Sequence, residues 1–197
     1  GTTGALTPVP GSPFAAGNIP RDIVVDPSGR FAYVANRGSN NVSTYTIDGA
    51  TGALTVVGGP VVVGNDPRSM TVDPSGRYVY VASFGTHNVS AFAINGMTGV
   101  LTAVAGSPFA AGTNPLAVRV DLSGQRVYVA NYSANTVLAY ALDGSSGALT
   151  PLAAGASVAA RNGPSSIGIV SGTAPVQFTS KFAYTANQGG NNISGYT

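Results

Sequence analysis

The charged and aromatic residues that could do chemistry in this chain stand beside prolines or in short polar loops. Arg21 and Arg68 each follow a proline and precede an apolar run, and Asp66 lies just before the second of these prolines. Guanidinium groups that share a partly enclosed mouth attract an anion such as a sulfate, phosphate or carboxylate. We therefore predict a ligand-binding site, without assigned catalytic residues, that is formed by Arg21, Arg68, Asp66, Arg37, Tyr132 and His87.

His87 is the only histidine, and it is the obvious candidate for proton transfer near neutral pH. Its position in a repeated pattern is held elsewhere by Asn40, Asn135 and Asn191, which favours a polar turn residue over a general base. The chain has no glutamate and no cysteine. These residues predict no metal site and no cofactor.

The overall composition limits the classes of partner. Only 8% of the residues are charged, against roughly 25% in an ordinary soluble protein, and the net charge is +2 with no basic run. We therefore expect no nucleic-acid partner. No apolar stretch reaches about 18 residues, so no membrane insertion is expected. Lys181 is the only lysine, and the wealth of Ser, Thr, Asn and Gly is typical of bacterial secreted, periplasmic or cell-surface proteins.

The elements that must position these residues belong to a repeat. Four equivalent tyrosines, at 33, 80, 128 and 184, are separated by 47, 48 and 56 residues. Each unit contains short β-branched and aromatic runs that are separated by Pro, Gly, Asp and Asn. A period of about 40 to 50 residues with several strands indicates an all-β fold, a β-propeller of four-stranded antiparallel blades, with four repeats in this chain.

The first repeat illustrates the predicted strands. Strand a covers 21–26, strand b 31–36, strand c 42–47 and strand d 54–57. Turns of the form Asp-Pro-Ser-Gly join strands a and b, while Asp, Asn and Gly form the turns between strands c and d. Successive strands alternate in direction, so the d–a and b–c loops share one face. The copies differ from one another on that face, which makes it the best candidate for a site.

Three motifs carry a resemblance to a known family: D-P-S-G-R-[FY]-x-Y-V-A-[NS], N-x-V-S and T-G-[AV]-L-T. They resemble the YVTN-type repeats of lactonase-like β-propellers, a group that includes 6-phosphogluconolactonase-like proteins. In general architecture these repeats are WD40-like. The resemblance implies a ring of seven blades and catalytic His, Arg and Glu near the ring axis. We call the position after the proline at the start of strand a, compared over the four repeats, the post-proline column. In this chain it instead holds Arg21, Arg68, Leu116 and Ser165.

Three hypotheses for function follow. The first is a non-catalytic binding module that recognises a protein, a glycan or a small anion through the d–a/b–c face, with negligible lactonase activity. The second is a lactonase-like hydrolase or isomerase that acts on a sugar lactone and uses Arg21 and Arg68 as an anion clamp. The third is a structural segment of a longer repeat array.

The two ends of the chain predict how the ring closes. Residues 1–7 match residues 49–55, so we expect one domain over 1–197 in which residues 1–10 supply strand d of the last blade. Closure within one chain gives a four-bladed ring, and closure between two chains gives an eight-bladed homodimer, which we favour. An insertion at 170–181 in the fourth repeat is expected to form an extended hairpin.

Overall fold

The structure is a computed structural model that describes residues 6–152, 157–171, 180–187 and 192–196. Beyond Val170 only the backbone of the strands is described. This part of the chain contains strands, turns and bends and no helix. It forms four antiparallel sheets, each built from one repeat, which we call blades 1 to 4.

Blades 1 and 2 set the pattern. Blade 1 has the strand order β1-β2-β3-β4, and blade 2 has β5-β6-β7-β8 with the short β9 also paired to β7. The bounds are β1 (Pro20–Val25), β2 (Phe31–Asn36), β3 (Asn41–Ile47), β4 (Leu54–Val62), β5 (Pro67–Val72), β6 (Tyr78–Ser83), β7 (Asn88–Ile94), β8 (Leu101–Ala103) and β9 (Phe109–Ala110).

Blades 3 and 4 repeat the strand order of blades 1 and 2 with small changes. In blade 3 the order is β10-β11-β12-β13, and β14 pairs with β12; in blade 4 the described strands are β15-β16-β17. Their bounds are β10 (Pro115–Val120), β11 (Arg126–Asn131), β12 (Thr136–Leu142), β13 (Leu149–Pro151), β14 (Ser157–Ala159), β15 (Pro164–Ser171), β16 (Ser180–Asn187) and β17 (Asn192–Tyr196).

A buried aspartate shapes each a–b turn of the first three blades. In blade 1 the Asp26 carboxylate accepts hydrogen bonds from the backbone N–H groups of Ser28, Arg30 and Phe31, at 3.1, 2.9 and 2.7 Å, and from the Ser28 hydroxyl. Burial opposes ionisation of Asp26, but these hydrogen bonds outweigh it and hold its pKa below the ordinary value.

The core lies between blades, because strand b is apolar on both faces. Phe31, Tyr33 and Ala35 of β2 pack against Met70 and the inner residues of blade 2. Tyr78, Tyr80 and Ala82 of β6 pack in the same way against blade 3. Alternate residues of a strand point to opposite faces, so β6 contacts blade 1 through Val79 and Val81 and blade 3 through Tyr78 and Tyr80.

The tyrosines of this core also bond across the blades. The Tyr33 hydroxyl donates to the Gly99 carbonyl at 3.1 Å, and the Tyr80 hydroxyl donates to the Gly147 carbonyl at 3.0 Å. Burial raises the pKa of both phenols well above the usual value. Both glycines have positive φ, and a Cβ on Gly99 would lie 2.5 Å from the Phe31 ring. The glycine in the T-G motif therefore lets the neighbouring blade approach.

The prediction of an all-β propeller with four-stranded blades is confirmed, and so is its division into four repeats. The strand starts differ by about one residue, and the outer strand of blade 1 continues to Val62 because Asn41 and Val42 extend its pairing. Residues 1–5 and 172–179 lie outside the described residues. The pairing of residues 1–10 with the last blade and the hairpin in the insertion therefore stay predictions.

We predict that Asp26→Asn lowers the free energy of unfolding by about 1–3 kcal/mol at pH 7, because an amide cannot accept the same set of hydrogen bonds. The folded-state pKa of Asp26 is depressed, so its stabilising effect is complete above the ordinary value of 3.8 and is lost as the pH falls through the lowered pKa. In urea denaturation, the gap between wild type and variant should narrow as the pH falls below about 5 and should close once the pH is below the lowered pKa of Asp26.

Asp48→Asn is the matched control. Asn95 stands at the equivalent turn of blade 2 and accepts the same backbone hydrogen bonds, from Met97 at 2.9 Å and Thr98 at 3.1 Å. The control should therefore unfold at the same urea concentration as wild type at pH 7. A wild-type–like stability of Asp26→Asn at neutral pH would contradict the role given to the buried carboxylate.

Candidate functional site

Each blade enters its innermost strand through an unusual loop. The residue before the proline has a positive φ: 51° at Ile19, 56° at Asp66, 55° at Asn114 and 66° at Gly163. One residue beyond the proline, the pairing register of strands a and b shifts, which is a β-bulge. Bulges re-aim side chains next to sites. The re-aimed residues are the post-proline column of Arg21, Arg68, Leu116 and Ser165.

The four bulges meet at one pocket of about 320 Å³, which we call the axial pocket. Three of its lining residues are arginines and one is an aspartate. The pocket is thus positive and, with its serines, rich in hydrogen-bonding groups. The lining consists of Arg21, Asp22, Arg68, Ser69, Leu116, Ala117, Arg119, Ser165 and Ser166.

The structure brings Arg37, Asp66 and Arg68 together into one ion-pair cluster. Asp66 Oδ1 lies 2.7 Å from both Arg68 Nε and Arg37 Nε, and Arg68 Nη2 donates to Asp66 Oδ2 at 2.8 Å. Burial opposes ionisation of Asp66, but the hydrogen bonds and charges of Arg68 and Arg37 outweigh it and lower its pKa. Arg68 is therefore largely neutralised, and it is held rigidly rather than left free to clamp an anion.

Two aromatic residues of the b–c loops lie beside this cluster. The guanidinium carbon of Arg68 is 4.7 Å from the centre of the Phe84 ring, a cation–π distance. Phe84 and Tyr132 have ring centres 6.4 Å apart and tilted by 46°. The predicted residues Tyr132, Arg37, Asp66 and Arg68 thus form a continuous polar and aromatic rim, while Arg21 lines the axial pocket.

Arg119 is a site residue that the sequence reasoning missed. Its Nη1 lies 3.1 Å from Ser69 Oγ, 3.3 Å from the Met70 carbonyl and 2.8 Å from the Val118 carbonyl. No carboxylate pairs with it, and Nε and Nη2 find no acceptor among the described residues. The signal was available, because the equivalent strand-a positions are Val24, Thr71 and Gly168, and only this copy carries a charge.

Asp22 was also missed, although it and Asp66 are the two aspartates that no a–b or c–d turn requires. Asp22 Oδ2 accepts from Met70 N at 2.7 Å in the next blade, and Oδ1 accepts from Ile23 N at 3.0 Å. A carboxylate offers about four lone-pair directions, so each oxygen can accept a further hydrogen bond. Asp22 is therefore a rigidly held acceptor in the wall of the axial pocket.

His87 takes no part in the axial pocket. Its Nδ1 accepts a hydrogen bond from Asn114 N at 3.1 Å. Asn40 Oδ1 accepts from Asp66 N at 2.8 Å, and Asn135 Oδ1 accepts from Gly163 N at 2.9 Å, in the same way. Imidazole Nδ1 thus replaces an amide oxygen. We call these three bonds the loop clasps, because each ties a b–c loop to the d–a loop of the next blade.

In the described part of the chain, no group of three or more His, Cys, Asp or Glu residues could hold a metal ion. The same residues contain no helix that is long and apolar enough to cross a membrane. The charged and hydroxyl groups that line the axial pocket are its arginines, the Asp22 carboxylate and the serine hydroxyls.

We predict that His87→Asn unfolds within about 0.5 kcal/mol of wild type, because asparagine holds the equivalent positions and tolerates positive φ. His87→Ala should lose about 1–3 kcal/mol, since it removes the clasp and strains a residue with φ of 58°. Chemical denaturation measures both. If the two variants lose equal stability, the imidazole does something that an amide cannot, and the clasp role is wrong.

Comparison with known proteins gives results that agree with this fold. A candidate 6-phosphogluconolactonase from Bacteroides fragilis is 22% identical with a TM-score of 0.70; the alignment covers 78% of this chain and 42% of that protein. The periplasmic gluconolactonase of Pseudomonas aeruginosa is 23% identical with a TM-score of 0.66, with coverages of 74% and 41%. A protein of unknown function from Desulfotomaculum acetoxidans is 18% identical with a TM-score of 0.74, with coverages of 91% and 55%.

No curated protein sequence matches the chain significantly. The chain spans about half the length of the solved structures named above or less, and at these identities they show the fold alone. Residues 3–109, which are more than half of the chain, match the sequence pattern of the family described as lactonase, 7-bladed beta-propeller. With four blades, an interblade core and an axial pocket in place, the chain belongs to the lactonase family of β-propellers.

Proposed function

We propose that this chain contributes the axial site of a lactonase-like hydrolase that acts on a sugar lactone bearing a phosphate or carboxylate group. The observation that carries the proposal is the convergence of Arg21, Arg68, Arg119 and Asp22 on one pocket. The family relationship supports hydrolysis over simple binding. A periplasmic or secreted location would agree with the composition and with the periplasmic gluconolactonase that shares the fold.

Arg119 is the natural anchor for the substrate. Nη1 is occupied by Ser69 and two carbonyls, so the guanidinium is fixed while Nε and Nη2 stay available. Arg21, which has no ion-pair partner among the described residues, adds a second cation. One guanidinium would hold the anionic group and the other would stabilise the oxyanion that forms when water attacks the lactone carbonyl.

Asp22 would orient that water. Its carboxylate is held by two backbone N–H groups, and its remaining lone pairs can accept a proton from water as the oxygen attacks. The tetrahedral intermediate would then collapse with cleavage of the ring C–O bond, and the leaving alkoxide would take the proton back from Asp22. The products are a hydroxyl group and a carboxylic acid, which releases its proton at neutral pH. Lactones are activated esters, so a carboxylate base with electrostatic stabilisation is sufficient chemistry.

A non-catalytic binding module is the second candidate. It is favoured by one specific observation: no histidine or glutamate lines the axial pocket among the described residues. In that case the Arg37–Asp66–Arg68 cluster, with Phe84 and Tyr132, would be a pre-organised surface for a protein, a glycan or a small anion. The two candidates both predict binding of an anionic ligand, and only the first predicts turnover of a lactone.

The test measures hydrolysis of glucono-1,5-lactone and of its 6-phosphate. The reaction is monitored by proton release, and the rate of spontaneous hydrolysis is subtracted. We expect the phosphorylated lactone to be preferred. Asp22→Asn should lower kcat by about 10² to 10⁴, the usual effect of losing a general base. Arg119→Gln should mainly raise KM for the phosphorylated lactone, because it removes binding to the anion in both ground and transition states.

Arg77→Gln is the matched control. Arg77 lies on the opposite face, where its Nη2 donates to the Gly144 carbonyl, so hydrolysis should be unchanged. Thermal unfolding of each variant separates loss of function from loss of fold. Wild-type rates in Asp22→Asn and Arg119→Gln would overturn the catalytic proposal. Binding of 6-phosphogluconate without turnover, lost in Arg119→Gln, would decide for the binding module.

A further inference from the structure

The sequence contains two Asn-Gly pairs, Asn95-Gly96 and Asn162-Gly163. An asparagine side chain that precedes glycine is open to attack by the backbone nitrogen of that glycine, because glycine has no Cβ to hinder the approach. Asn95 and Gly96 begin the c–d turn of blade 2, and both are exposed. The second pair lies in the d–a loop that leads into blade 4, where Gly163 is buried. The two pairs therefore have the same sequence in opposite environments.

The turn of blade 2 holds the Asn95 side chain in an activated state. Its Oδ1 accepts hydrogen bonds from Met97 N at 2.9 Å and from Thr98 N at 3.1 Å. Donors on this oxygen stabilise the negative charge that develops on it when a nucleophile attacks Cγ. No hydrogen bond to the described residues holds the Asn95 Nδ2 amide nitrogen, and the Gly96 N–H donates to none of them either. The leaving group and the attacking nitrogen are thus both unrestrained.

A loop clasp protects the second pair. Gly163 N donates to Asn135 Oδ1 at 2.9 Å, and Pro164 follows directly. Before it could attack the Asn162 side chain, this nitrogen would have to give up the clasp inside a buried loop. Local opening of this kind costs free energy, so the reaction at Asn162 is slowed by the fold.

Blades 1 and 3 have aspartate in place of this asparagine, in the pairs Asp48-Gly49 and Asp143-Gly144. Asp48 Oδ1 accepts from the backbone N–H of Ala50 at 3.0 Å, as the amide oxygen does in blade 2. Hydrogen bonds hold the pKa of both carboxyl groups below the ordinary value. Both are therefore carboxylates at neutral pH, and a carboxylate is a poor electrophile. The c–d turn accepts an aspartate, and among blades 1 to 3 only blade 2 has the reactive side chain.

We propose that Asn95 is a site of spontaneous deamidation in the folded protein. Gly96 N attacks Cγ of Asn95, a C–N bond forms, and Nδ2 leaves as ammonia with the proton of the Gly96 N–H. The product is a five-membered succinimide. Water then opens this ring at one of its two carbonyl groups, which gives aspartate or isoaspartate. In isoaspartate the main chain runs through the side chain and is longer by one CH₂ group.

Isoaspartate at this position disturbs the contact between blades 1 and 2. Arg30 Nη2 donates to the Gly96 carbonyl, and the Tyr33 hydroxyl donates to the Gly99 carbonyl at 3.1 Å. A longer main chain just before Gly96 moves these acceptors away from their donors. Aspartate leaves them in place, because the turn that begins at Asp143 makes the equivalent contacts between blades 2 and 3. The modification therefore weakens one junction between blades, and only through one of its two products.

The proposal does not depend on the proposed lactonase function, and its test follows the chemistry directly. Folded wild-type protein is kept in warm, mildly alkaline buffer for days and is then analysed by peptide mass spectrometry with electron-transfer fragmentation, which distinguishes aspartate from isoaspartate. Asn95 should convert to both products, and Asn162 should convert more slowly by about tenfold or more. In guanidinium chloride the two rates should be similar, because both residues precede glycine. An intact Asn95, or equal rates at the two sites in the folded protein, would overturn the proposal.

Gly96→Ala is the matched variant. A Cβ on Gly96 meets no atom within 4 Å, and the φ of this residue is not positive, so the turn should keep its structure. The added Cβ should slow conversion of Asn95 by about tenfold, because it hinders the attacking nitrogen. A wild-type rate in this variant would contradict attack by the Gly96 nitrogen.

A second measurement tests the effect on the junction between blades. Asn95→Asp supplies the aspartate product alone and should unfold at the same denaturant concentration as fresh wild type. Aged wild type that contains isoaspartate should unfold at a lower concentration, whereas Gly96→Ala treated in the same way should not. If protein rich in isoaspartate unfolds like fresh wild type, the turn does not support the contact between blades 1 and 2.

Discussion

The geometry of the site depends on a hydrogen bond that is repeated between neighbouring blades. A side chain of one b–c loop accepts the backbone N–H of the residue that precedes proline in the next blade. That residue has a positive φ, which is free of strain for glycine, tolerated by Asn and Asp, disfavoured for other residues and further restricted before proline. The loop clasp offsets this cost. Because the bulge begins at the proline, the clasp also fixes where the post-proline side chain points.

The same constraint explains why polar residues are divided between two faces. On one face, aspartates such as Asp26 are used up by backbone N–H groups of tight turns and have little capacity left for a ligand. On the other, the clasps satisfy the loop backbone of blades 2, 3 and 4, and Arg21 and Arg119 line the axial pocket. The capacity to bind a ligand therefore belongs to the face where the backbone is satisfied by amide or imidazole side chains.

Much of this arrangement could be predicted from the sequence, because period, turn chemistry and strand alternation are local properties. Arg21, Arg68 and Asp66 were found since they break the repeat in a loop next to proline. Arg119 and Asp22 were not, because their importance arises from contacts between blades. Asp22 bonds to Met70, 48 residues away, and Arg119 bonds to Ser69, 50 residues away. Such contacts depend on the bulges, which no single-residue pattern reveals.

The ion-pair cluster shows how far a pattern of charges can mislead when its neighbours are unknown. In the sequence, Arg21 and Arg68 are equivalent residues that predict a symmetrical anion clamp. Asp66 stands in the second loop where Ile19 stands in the first, and its carboxylate binds Arg68 in a two-point fork and Arg37 as well. A residue before a proline thus decides whether the arginine after it faces a ligand or an internal carboxylate. Equivalent cations in a repeat are therefore not equivalent ligand-binding groups, and in the axial pocket the arginines without an ion-pair partner among the described residues are Arg21 and Arg119, the latter one blade beyond Arg68.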